Sequence, residues 1–438
     1  MRTWRSCSEW TLMFKLSRRH LMIGGAGLAG AAILMSKPGD ESGPRDPYFE
    51  TLQAALTAAG IASPTLVIDK ARLNANIDTL VSHLPAGMAY RIVAKSLPSL
   101  DLIAHIRKRS GSDRLMTFNQ PMLSALTRAM PEADQLVGKP LPVAAARNYF
   151  GGLTPEESAA ASKIQWLIDT PERLRQYQEL ARATGQTLRI NLELDVGLHR
   201  GGLEAGETLK AMLGTLREAE ELQFAGFMGY EPHLAALPEA LGWRERAKAG
   251  AWRRYGEALA QAAEVFGAEA IAGLVRNAAG SPTYRYYQST EIANEISAGS
   301  CLVKPTHFDT PLLEPHQPAS FIATPVIKAI DRTRLPGLEF AAEGQRAWDP
   351  NVSRTVFIYG GNWLADPVDP PGLSYNKTFG RSSNQEMLTG GHNLGIKPDE
   401  FVFFRPHQSE AVFLQFGDIA VFEDGQITQR WPVFEASA

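Results

Sequence analysis

Between about Ser63 and Gly280, short β-rich apolar runs alternate with longer segments of helical spacing, and this alternation restricts the fold more than any other feature. The runs read TLVID, YRIVA, RLMTF, DQLVG, IQWLID, LRINLELDV, FAGFMGY and GLVRNA. In the intervening KARLNANIDTLVSHL, Leu73, Ile77, Leu80, Val81 and Leu84 recur on one helical face. TPERLRQYQELARATG carries its own start signal, with Thr170 as N-cap, Pro171 at the first helical position and Glu172 in the first turn. Parallel strands need helical crossovers, so eight strand–helix units in a row predict an α/β chain closed as a (β/α)8 TIM barrel.

After Thr290 the texture changes. TPVIKAI, LEFAAEG, RTVFIYGG, EFVFFRP, EAVFLQF and DIAVFEDGQITQRWPVF read as strands with little helix between them. Asp424-Gly425 between two such runs is a hairpin signal. The stretch NWLADPVDPPGLSYNKTFGRSSNQE is predicted as a long loop. A chain of 438 residues exceeds one ordinary core, which fits a leader and linker at 1–45, a barrel at 46–290 and a β-rich C-terminal domain at 291–438. A net charge of −3 without a basic block gives no reason to expect nucleic acid as a partner.

The leader has its own pattern. Arg18 and Arg19 precede about fifteen uncharged residues rich in Gly and Ala, too few and too weakly apolar for a span of roughly 20. The Ser-Arg-Arg-x-Leu-Met order resembles twin-arginine signals and predicts export, folded, to the periplasm. No small-x-small site follows Met35, so an uncleaved anchor stays open; otherwise no stable membrane association is expected. Cys7 lies in the leader, which leaves Cys301 without a disulfide partner.

Barrel enzymes carry their working residues at the C-terminal ends of strands. Lys95 follows YRIVA; Asp195, His199 and Arg200 follow LRINLEL; Tyr230 and His233 follow FAGFMG; Gly280, Ser281 and Thr283 follow GLVRNA. An amine on the same rim as a Gly/Ser/Thr loop points to pyridoxal 5'-phosphate, whose aldehyde bonds lysine and whose phosphate suits backbone amides and small hydroxyls.

From Ser63 to the C-terminus the chain resembles fold-type III pyridoxal-phosphate enzymes of the D-threonine aldolase and D-serine dehydratase group, with their alanine racemase-like barrel. RIVAKSLPS is similar to the group's Arg-Pro-His-x-Lys-Thr-His motif, which implies Lys95 as the Schiff-base lysine. LELDVGLHRGG is similar to Asp-Val-Gly-x-x-Arg-x-Gly and implies Arg200 near the cofactor or substrate. GYEPH resembles Gly-Tyr-x-Gly-His, placing Tyr230 and His233, and AAGSPTY resembles the phosphate loop with Gly280, Ser281 and Thr283. RPHQSE is similar to the motif that holds a divalent metal, implying His407 as a ligand. Ile92-Val93 and Leu97 stand where the group has Pro-His and a second His. Ser409 replaces the usual Cys or Asp, and a hydroxyl is a poor ligand for zinc or manganese, unless Glu410 substitutes.

The resemblance implies a lyase that cleaves 3-hydroxy-D-amino acids to glycine and an aldehyde, with Lys95, Arg200 and His233 as its catalytic set and His233 as base. The alternatives are a D-serine dehydratase-like deaminase, an amino-acid racemase of the same fold, a non-catalytic pyridoxal-phosphate carrier and a relative that has lost its cofactor. The resemblance also implies a homodimer acting on a small amino-acid substrate.

Overall fold

The structure, a computed structural model, describes residues 37–334, 337, 339–376, 379–410 and 412–435; the expected export signal lies outside them. No helix among the described residues is long and apolar enough to cross a membrane.

Eight parallel strands close a barrel: β2 (Ala89–Val93), β3 (Arg114–Thr117), β4 (Asp134–Val137), β5 (Ile164–Ile168), β6 (Leu188–Leu194), β7 (Leu222–Gly229), β8 (Val275–Ala278) and β9 (Glu295–Ala298). β9 returns to pair with β2. The crossover helices carry the predicted signals. Thr170 accepts a bond from the Arg173 amide at the start of Pro171–Thr184, and Gly185 closes that helix in the left-handed conformation.

LEFAAEG and EAVFLQF, expected as strands, fall instead on the helix Glu339–Trp348 and the short 3-10 turn Phe413–Gln415. Two barrel assignments also differ from the sequence reading. TLVID forms β1 (Thr65–Asp69), which is not a barrel strand. It lies in a second, nine-stranded sheet, antiparallel to β10 (Ser320–Ile330) and parallel to β16 (Asp418–Glu423). Its five residues are all buried, and a short run with Leu66, Val67 and Ile68 at its centre suits a central sheet position as well as a barrel. The eighth barrel strand is instead Glu295–Ala298, concealed by its polar residues. Inside the barrel Glu295 meets Arg91, whose Nε donates to Oε1 at 2.6 Å, and Arg114, whose Nη1 donates to Oε2 at 2.6 Å. Asn277 Nδ2 donates to Ser297 Oγ at 2.7 Å.

The second sheet adds β11 (Arg354–Tyr359), β12 (Ala365–Asp369), β13 (Ser374–Tyr375), β14 (Gln385–Gly390), β15 (Phe401–Pro406) and β17 (Gln426–Pro432). The stretch expected to be a long loop contains β12, paired with β15, and the short β13, paired with β14. The Asp424-Gly425 turn joins β16 to β17 with positive φ at both residues, as the hairpin signal predicts. Helix Pro47–Ala58 lays Phe49, Leu52 and Leu56 on one face of this sheet against Val67, Phe321, Phe403 and Phe422. Inside the barrel mouth, Val93, Met116, Leu136, Leu167 and Met228 form a separate apolar cluster.

Candidate active site

A cavity of about 130 Å³ opens above that cluster, with Val93, Met116 and Met228 in its wall. Lys95 lines it, one turn past the end of β2. Its amine lies 4.6 Å over the Phe118 ring and 3.8 Å from Glu410 Oε1. The lysine side chain keeps 44% of its exposure, so the amine is reachable from solvent. Glu410 arrives from the C-terminal sheet domain, beyond β15, and Ser96 Oγ donates to its Oε1 at 2.7 Å. Ser300 Oγ donates in turn to Ser96 Oγ at 3.0 Å.

Arg200 reaches the cavity from a tight turn after β6. Asp195 Oδ1 accepts the amides of Gly197 and His199 at 2.9 and 3.0 Å, and Asp195 Oδ2 meets His199 Nδ1 at 2.9 Å. The turn folds back so closely that a Cβ at Gly202, where φ is 103°, would stand 2.7 Å from the Asp195 nitrogen. The fold thereby directs the Arg200 guanidinium 5.2 Å over the Tyr230 ring. Tyr230 packs against Gly280, where a Cβ would lie 2.5 Å from the ring. Burial pushes the Tyr230 phenol up to about 12, so it stays protonated in neutral solution.

Gly280, Ser281 and Pro282 form the wall after β8, and Gly299 and Ser300 the wall after β9. Ser281 Oγ accepts the amides of Gly299 and Cys301, both at 3.1 Å, which ties the two loops together. With both lone pairs engaged, that hydroxyl serves an incoming anion only as a donor.

Of the residues expected from sequence, Lys95, Arg200, Tyr230, Gly280 and Ser281 line this one cavity. Thr283 and His233 are not in its wall. The Thr283 hydroxyl points inward and donates to the buried Glu231 Oε1 at 2.7 Å. His233 packs beside the Asp195–Arg200 turn, its Nε2 3.4 Å from where a Cβ on Gly197 would be, and burial holds it below the usual imidazole range. Its Nδ1 is buried without a partner. His407 Nε2 pairs with Asp366 at 3.0 Å and its ring stacks on His307 at 5.2 Å. The Ser409 hydroxyl is taken up by Glu410 Oε2 at 3.3 Å.

His407 with Ser409 therefore does not fit a zinc or manganese centre. Among the described residues, the three side chains with donor atoms within 4.8 Å of one another are Asp195, His199 and Glu204, away from His407. Pyridoxal phosphate does fit. A reachable lysine amine shares one cavity with a Gly-Ser-Pro turn and small hydroxyls, and the Gly280 position tolerates no side chain. Ser96 and Ser300 were not legible beforehand because single serines carry no pattern. Glu410 was legible only as a neighbour of Ser409.

A closed parallel barrel with lysine at the tip of its first strand and a Gly-Ser-Pro turn after its seventh defines a class, the fold-type III pyridoxal-phosphate enzymes. The family described as alanine racemase, N-terminal domain, matches residues 68–306, and the chain belongs to it. Among solved structures, D-threonine aldolase from Filomicrobium marinum superposes with a TM-score of 0.68 at 17% identity, covering 86% of this chain and 95% of that one. D-threo-3-hydroxyaspartate dehydratase from Delftia sp. HT23 gives 0.67 at 16% identity, covering 86% and 98%. Alanine racemase of Clostridium difficile 630, in complex with cycloserine, gives 0.63 at 12% identity, covering 84% and 98%. At these identities the likeness concerns the fold. No curated protein matches the sequence.

Proposed function

We propose that this protein is a pyridoxal-phosphate-dependent lyase that cleaves 3-hydroxy-D-amino acids to glycine and an aldehyde. The observation that carries the reading is the Glu410 carboxylate, brought by the second domain to 3.8 Å from the Lys95 amine. Both proton-handling groups thus stand together in the cavity wall. A racemase needs its two acid–base groups on opposite faces of the substrate, and Tyr230, the tyrosine in this wall, is packed against Gly280 with its proton held by burial. Two of the similar structures, D-threonine aldolase and D-threo-3-hydroxyaspartate dehydratase, are named for 3-hydroxy-D-amino acids.

Lys95 would hold the cofactor, with Gly280–Pro282, Ser281 and Ser300 toward its phosphate. When bound, pyridoxal phosphate supplies an electron sink for the bond broken at Cα. Glu410 accepts the proton of the substrate 3-hydroxyl as the Cα–Cβ bond breaks, and Ser96 steadies the receiving oxygen. Lys95 delivers a proton to Cα and is recharged by Glu410, 3.8 Å away, so the proton lost by the 3-hydroxyl is balanced by the one gained by glycine. Arg200, over Tyr230, is placed to take the substrate carboxylate.

The test is a panel of D- and L-3-hydroxyamino acids assayed for aldehyde, keto acid and Cα-proton exchange. Aldehyde release from the D-isomers, lowered roughly 10²–10⁴-fold in Glu410→Gln and unchanged by chelator, is the expected result. Lys95→Ala should also lose the visible absorbance of lysine-bound cofactor. Keto acid without aldehyde would make the protein a dehydratase, and exchange without cleavage a racemase.

A further inference from the structure

Behind the Gly280–Pro282 turn lies a carboxylic acid that the chemistry above does not use. Glu231 is 1% exposed. Its Oε1 accepts the Thr283 hydroxyl at 2.7 Å and its Oε2 the Ala279 amide at 3.3 Å. The Gly280 amide donates to the same Thr283 hydroxyl at 3.2 Å, so a relay runs from the cavity wall to the buried acid. Ala279 holds a left-handed φ of 66°, costly for a residue with a Cβ, and the Glu231 bond is what grips its amide.

We infer that Glu231 is the positioning residue of this turn, and that it takes up a proton as an anionic phosphate settles on the other side of it. The inference rests on the cofactor reading of the cavity. Its physical ground is charge. The partners of Glu231 are neutral hydroxyls and amides, and among the described residues no Lys, Arg or His forms an ion pair with it. An ionised Glu231 and a phosphate would therefore be two negative charges on opposite sides of one turn of backbone, with no cation paired to the buried one. The titratable groups set around it are phenols raised by burial: Tyr230 next to it in sequence, Tyr255 from helix Trp243–Phe266 and Tyr287 beyond the loop. Arg200 covers Tyr230 from the cavity side, with Lys95 and Glu410 further round the wall. Burial lifts the Glu231 carboxyl to about 7, so a proton is available to it in near-neutral solution.

The experiment strips the full-length protein of cofactor and titrates it with pyridoxal phosphate, with pyridoxal and with inorganic phosphate, at about one pH unit either side of neutrality. Isothermal calorimetry in buffers of different ionisation enthalpy counts protons, and visible absorbance reports lysine attachment. The wild type is expected to take up a proton with both phosphate-bearing ligands and none with pyridoxal. Its affinity for pyridoxal phosphate should fall by about tenfold across the upper pH unit relative to Glu231→Gln. Equal proton uptake for pyridoxal and pyridoxal phosphate in the wild type would overturn the inference, and that measurement does not depend on the variant folding. The same pH dependence in a folded Glu231→Gln would also overturn it, while leaving the cofactor reading intact. Absence of any pyridoxal-phosphate binding or visible band would instead defeat the cofactor reading, and this inference with it.

Discussion

Arg91 is fully buried inside the barrel, bonded to Glu295 on one side and to Asp134 at 2.7 Å on the other. These carboxylates hold its guanidinium above the usual arginine range, and the arginines hold the Glu295 carboxyl below the usual carboxylate range. Arg91→Met leaves Glu295 buried with Arg114 as its remaining cation, so a loss of about 3–5 kcal/mol is expected in urea unfolding. Glu231 supplies the opposite case. Its carboxyl is raised from 4.5 to about 7, so the native state keeps a proton that the unfolded chain releases. Its contribution to stability is complete below about pH 4.5 and is lost as pH rises through about 7, at about 1.4 kcal/mol for each tenfold difference in proton affinity between the folded and unfolded chain. Glu231→Gln should flatten that part of the stability–pH curve, as thermal unfolding across this range would record. Residues of this kind are the ones a sequence conceals. Glu295 reads as a surface acid until Arg91 and Arg114 are folded against it, and Thr283 reads as a phosphate ligand until Glu231 is found behind it.

At the scale of elements, local signals served well. The Thr170-Pro171-Glu172 start and the Asp424-Gly425 turn were legible because caps and tight turns are decided by a few adjacent residues. The strand TLVID misled because its burial comes from partners some 250 and 350 residues away, β10 and β16, and not from its own pattern. That pairing predicts a consequence. Deleting residues 418–435 removes β16 and β17 and leaves β1 with an open backbone edge beside the apolar Leu66, Val67 and Ile68. The shortened chain should emerge aggregated on size-exclusion chromatography, whereas the intact chain should not. A soluble, compact product would show that β1 does not need its parallel neighbour.

Across the whole molecule, the two sheets are interleaved along the chain. β1 precedes the barrel in sequence yet lies in the second sheet between β10 and β16, so the chain enters the second sheet, builds the barrel and returns. The same arrangement lets the second domain hand Glu410 to the barrel mouth, on a segment that also carries His407 away to Asp366. By itself the sequence determined the barrel, the lysine, the Arg200 turn and the Gly-Ser-Pro loop, because each depends on periodicity or on a compact motif whose chemistry is local. Only the tertiary structure decided which carboxylates are brought there. A carboxylate buried by distant strands acquires its partners, and with them its protonation, solely from three-dimensional packing; this holds for Glu231 under the loop and Glu295 in the barrel, while the same packing sets Glu410 beside the amine.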